Sequence, residues 1–145
     1  MDWLAKRLKE DDADNAFLLY HNGFTKYGIP SYPVGPNGYQ LSAITTNVLK
    51  LCEAYNNGTS ITLNGKTYNF AGCTGCVRFI LSGHIHEDAV ETHYGIPVVS
   101  TAYMRELEST PTFDLCLADY DNAVLHMVRV GSGTDREVAL AKRGT

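Results

Sequence analysis

Apolar residues along the chain fall into short blocks separated by polar, Gly-rich and Pro-rich stretches. Ala16-Phe17-Leu18-Leu19-Tyr20 is apolar without alternation, and residues 77–81 are apolar but for Arg78. Such runs predict strands buried on both faces of a parallel or mixed sheet. Ile96-Pro97-Val98-Val99-Ser100 predicts a third strand. Two segments carry helical spacing instead. Residues 2–10 place Trp3, Leu4 and Leu8 on one face, and residues 40–55 repeat Leu41, Ile44, Val48, Leu49, Cys52 and Tyr55. Residues 60–63 and 66–70 flank Asn64-Gly65, whose tolerance of positive φ predicts a type I′ hairpin. Residues 113–118 and 123–130 predict an antiparallel pair, with an edge strand at 137–140. Residues 22–38, rich in Gly, Pro and Tyr, predict a long loop. The expected class is therefore α/β or α+β, a single domain over residues 1–145 with a mixed sheet.

Composition narrows the setting. A chain of 145 residues with 44% hydrophobic and 19% charged residues can bury one core. Its net charge of −4 offers no basic surface for nucleic acid. No run approaches the roughly 18–20 apolar residues of a membrane span, and the N-terminus lacks the order of a signal peptide. A reducing cytoplasm is the expected compartment. Of Cys52, Cys73, Cys76 and Cys116, only Cys73 and Cys76 form a CxxC pair. A structural zinc site calls for a second pair or nearby histidines, so these two are read as small buried residues in a turn before a strand.

Two of the five histidines follow apolar strands directly. Ligands of open α/β sheets gather at the carboxyl ends of strands, which puts His21 and His84 where a site forms. His86 lies two residues beyond His84. In extended backbone the two imidazoles point to one side, roughly 6–7 Å apart, a spacing suited to two metals about 3.5–4 Å apart. Gly83 lets the backbone turn tightly beneath them. His93, before the Tyr94-Gly95 turn, and His126, inside a strand, have weaker claims.

Leu81-Ser82-Gly83-His84-Ile85-His86, followed by Gly95-Ile96-Pro97-Val98-Val99, resembles the C-terminal signature of calcineurin-like metallophosphoesterases of phage and bacterial type. Phe17-Leu18-Leu19-Tyr20-His21 resembles the preceding strand-and-histidine motif, and residues 129–136 resemble the ending of phage members. The likeness covers roughly residues 1–130. It implies the C-terminal half of an αββα sandwich with a mixed sheet, in which residues 22–76 insert a helix and a hairpin between ligand motifs. It further implies a pair of divalent metal ions of the Mn, Fe, Zn or Ni kind. His21 and His84 would bind one ion and His86 the other, and the substrate would be a phosphate ester. No catalytic residue beyond these ligands is carried over.

The family's Asp-x-His, Gly-Asp-x-x-Asp and Gly-Asn-His motifs are missing from these 145 residues. The chain thus reads as a phosphohydrolase fragment that contributes ligands and is inactive alone. Its exposed sheet would be covered by a homodimer or by an N-terminal half. Three alternatives remain. A single ion on His21, His84 and His86 could act with Glu87, Asp88 or Glu91 as base. A cupin would match the spacing from His84 to Glu91, but Arg78 stands where its motif wants glycine. The fold could also serve as a non-catalytic interaction module.

Overall fold

A computed structural model describes residues 1–25, 38–102 and 111–144. Among these, helix α1 (Asp2–Asp11) leads into β1 (Ala16–Tyr20), β2 (Phe24–Thr25) and β3 (Gln40–Leu41). Helix α2 (Ala43–Asn56) and the hairpin β4 (Ser60–Leu63) and β5 (Lys66–Asn69) come next. Then come β6 (Val77–Ser82), β7 (Ala89–His93), β8 (Ile96–Ser100), β9 (Phe113–Asp119), β10 (Val124–Val130) and β11 (Arg136–Ala139). The class is mixed α+β.

Strands order as β1-β6-β8-β7 in one mixed sheet and as β11-β10-β9 in a second, antiparallel sheet. β1, β6 and β8 are parallel and β7 runs against β8. Alternate residues of the mixed sheet feed two cores. Ile80 and Val98 face α2 and the hairpin, whereas Phe79 and Val99 face Leu125, Met127 and Val138 of the second sheet. At β6 and β8 the apolar runs result from cover on both faces, whereas β1 keeps Phe17 and Leu19 exposed, so its expected burial on both faces does not hold. A one-residue irregularity pairs Ala16 with Val77 but Phe17 with Phe79, skipping Arg78. It lets Val77 and Phe79, two apart, serve opposite cores.

Several expectations are revised. The second helix begins at Ala43, three residues later than the periodicity implied, because Gln40 and Leu41 pair with Thr25 and Phe24 as β3. Ser42 caps it, its hydroxyl accepting from the Thr45 N–H. Ile44 and Trp3, placed by spacing on core faces, are 71% and 73% exposed. Residues 89–93, unassigned from their mixed composition, form β7, turned into β8 by Tyr94 and Gly95 at φ 54° and 71°. The Asn64-Gly65 turn has positive φ at both residues, as its sequence requires. Most of the 22–38 loop lies outside the described residues.

Candidate metal centre

The three parallel strands end level with one another. Tyr20 pairs with Ser82, and Ser82 with Ser100. The first residues past that edge include His21 and Gly83. The Gly83 N–H donates to the His21 carbonyl at 3.0 Å, carrying the pairing one step beyond the strands. Helix α2 fixes the path after His21: the Thr45 hydroxyl donates to the Gly23 carbonyl at 2.8 Å and contacts the Asn22 carbonyl at 3.1 Å. Gly23 passes so close to Ser82 that a Cβ there would collide with its side chain. The helix cap therefore positions the segment carrying the first histidine.

His84 and His86 both adopt left-handed backbone, at φ 76° and 61°, while Gly83 does not. The Ile85 N–H folds back onto the Gly83 carbonyl at 3.0 Å. The motif is thus a tight turn, and the expectation of an extended His-x-His with parallel side chains does not hold. The glycine expectation changes too, since a Cβ on Gly83 would make only ordinary contacts. The strain sits on the histidines. Non-glycine residues in this region cost of order 1–3 kcal/mol each and cluster at functional sites.

The turn brings His84 against His21. Nδ1 of His84 lies 3.3 Å from Nε2 of His21, with ring centroids 5.2 Å apart and planes at 79°. Two imidazole nitrogens on one tetrahedral ion at about 2.0–2.1 Å lie roughly 3.3–3.4 Å apart, so the pair fits a shared metal. The same contact is closed by an N–H···N hydrogen bond when one ring carries the proton. His86 stands apart from them. Among the described residues no three His, Cys, Asp or Glu side chains gather as a metal cluster. His86 instead borders a cleft of about 320 Å³ with Asp88, Thr112, Arg129 and Ser132.

Below that cleft is a group that sequence reading missed. Arg129 donates from Nη2 to Asp88 at 2.6 Å and from Nε to Asp114 at 2.8 Å. Arg136 also pairs with Asp114 and, at 3.3 Å, with Asp88. The Arg129 and Asp114 side chains are only 3% and 1% exposed. Asp88 and Asp114 push the Arg129 guanidinium up, so it stays charged. Burial alone would raise the Asp88 carboxyl, but Arg129 and the Ala102 N–H hold it below its ordinary range. Asp88 thereby ties the loop after the histidines to the second sheet. The charged residues Asp114, Arg129 and Arg136, set in strand segments, were the available signal.

The remaining candidates separate cleanly. His126 pairs with Glu137 across strands at 3.1 Å, on the outer face of the second sheet. His93 closes β7. Glu91 is fully buried, and one of its oxygens accepts the Tyr39 N–H at 3.2 Å. Cys73 and Cys76 are buried in the turn before β6, and burial raises both thiols. No family model, curated protein or solved structure matches this chain.

Proposed function

We propose that this chain is part of a metal-dependent phosphoesterase of calcineurin-like type, contributing histidine ligands to a dinuclear site. The observation that carries the reading is the 3.3 Å approach of His21 Nε2 and His84 Nδ1 at the carboxyl edge of a parallel β-β pair. His21 and His84 would hold one divalent ion; His86, which borders the Asp88 and Arg129 cleft instead, would serve a neighbouring ion only by turning back from it. Such ions supply positive charge to a phosphoryl oxygen and acidify water at neutral pH. The chain's own part is positional: the α2 cap sets His21, the strained turn sets His84, and Asp88 anchors the loop leading into β7. The αββα sandwich of that family is the proposed parent fold, with its other ligand motifs supplied outside these residues. A reducing cytoplasm suits four cysteines that are all unpaired.

Metal analysis after equilibration with manganese or zinc, coupled to bis(p-nitrophenyl) phosphate hydrolysis, tests this. The chain should retain an ion that is lost in His21→Ala and in His84→Ala, with little turnover. Equal retention by wild type and both variants would overturn the ligand assignment. Rapid turnover with two ions per chain would overturn the half-site reading.

A further inference from the structure

β1 is the end strand of the mixed sheet, paired among the described residues only with β6. Sheet edges are normally guarded by charge, proline or inward-pointing ionisable groups. The other three outer strands obey that rule: β7 carries buried Glu91, β9 carries Asp114 and Asp119, and β11 carries Arg136 and Glu137. β1 carries none, since its residues are Ala, Phe, Leu, Leu and Tyr. Its register irregularity falls at the first residue, leaving Phe17–Tyr20 regular. Apolar side chains flank this open edge. Phe17 and Leu19 are 49% and 68% exposed, and Trp3 and Ile44 rise beside them from the two helices. Together they border a groove of about 580 Å³ along the strand.

We propose that this edge pairs with the same edge of a second copy, β1 antiparallel to β1 about a two-fold axis at Leu18. In that register Phe17 meets the partner's Leu19, Leu18 meets its own copy and Ala16 meets the partner's Tyr20. Every cross-strand pair is apolar and no like charges meet. The contact is isologous, so it closes at two copies. Trp3, Phe17, Leu19 and Ile44 present on the order of 500 Å² of surface per copy at their exposures. Complete burial of these side chains in both copies would remove about 1,000 Å² before backbone and neighbouring side chains are counted, approaching the roughly 1,200–2,000 Å² of a specific interface. A second apolar surface, the outer face of β9 and β10 with Leu115 and Val128, offers side chains only. The β1 edge adds backbone N–H and C=O groups that have no strand partner among the described residues, and a second strand can satisfy them.

Sedimentation over a micromolar dilution series tests the pairing independently of any metal. The expected species has twice the chain mass. Leu19→Lys and Ile44→Glu, each at an exposed position, should both yield folded monomers by circular dichroism, while Leu115→Lys stays dimeric. A wild-type monomer throughout the series would overturn the proposal. So would a dimer that survives both β1-side substitutions, or one dissociated by Leu115→Lys alone.

Discussion

β6 begins in a two-cysteine turn and ends in a two-histidine turn, and its two ends are built on opposite principles. At the first, the Asp12 carboxylate accepts from the Thr74 and Gly75 N–H groups and the Tyr55 hydroxyl. Arg143 donates to the Cys73 and Thr74 carbonyls. Both cysteines are buried, Cys73 in the core and Cys76 against the Ala141 carbonyl. The strained residue there is Asp12 at φ 37°, the helix C-cap that does the clamping. At the second end, strain falls on the residues carrying the chemistry, His84 and His86. Their turn is fixed from a distance, through Asp88 and the ion cluster. A turn closed on itself protects its side chains. A turn held from outside can leave imidazoles reaching into solvent.

The largest test of that contrast removes the distant anchor. Asp114→Ala leaves Arg129 and Arg136 with Asp88 as the only carboxylate they share among the described residues, and breaking a buried pair costs about 3–5 kcal/mol. Urea denaturation should show the loss, and an unchanged midpoint would mean the cluster does not hold the sheets. Next, Gly75→Ala challenges the closed turn. A Cβ there would lie 2.5 Å from the Ala13 carbonyl oxygen and strike the Tyr55 hydroxyl, so a loss of about 1–3 kcal/mol is expected in the same assay. The opposite sign is expected at the other end. His84→Gly relieves φ 76° and should raise stability by about 0.5–1 kcal/mol while abolishing metal retention. A destabilised variant would show that His84 is there for packing.

Two smaller effects complete the series. Burial pushes the Cys52 thiol up to about 12 and raises Cys73 and Cys76 as well. Burial also raises Cys116, so exposure sets the order: a thiol-reactive dye should label exposed Cys116 first and the three buried thiols only on unfolding; rapid labelling of Cys73 would contradict the closed turn. Lastly, hydrogen bonds from Thr74 and Gly75 lower Asp12 from 3.8 to about 2. A depressed carboxylate contributes stability above its unfolded value and loses it as pH falls toward the folded one. Wild type should thus lose stability between about pH 4 and 2 faster than Asp12→Asn, which lacks that titration. Parallel acid curves would remove Asp12 from the account.

Much of the strand placement was legible because apolar runs mark strands, although two-sided burial followed only at β6 and β8 and not at β1. Residues 16–20, 77–81 and 96–100 lie where continuous apolar runs put them, and Asn64-Gly65 turns where its φ preference demands. β7 was not legible: it mixes a buried Glu91 with exposed Thr92 and keeps to no single period. Trp3 and Ile44 were misplaced because helical spacing reports a face, while only packing decides how far that face is covered. At the candidate centre, His21 and His84 could be assigned to one edge from their positions after strands. The direction of His86 could not, because the premise of extended backbone failed at a left-handed His84.

Residue order alone therefore determined most of the longer strands, where the hairpin turned and which histidines sat at strand ends, but not β2, β3 or β7. These depend on local conformational preference and on the need to bury apolar runs. Tertiary structure decided that His21 and His84 meet while His86 turns away. It also decided that Asp88 is gripped by Arg129 and that β1 is left as an uncharged edge. The meeting of His21 and His84 depends on parallel pairing of β1 with β6, 57 residues on from Tyr20 to Val77, and the Asp88 contact spans 41 residues; no local pattern encodes which distant partner arrives.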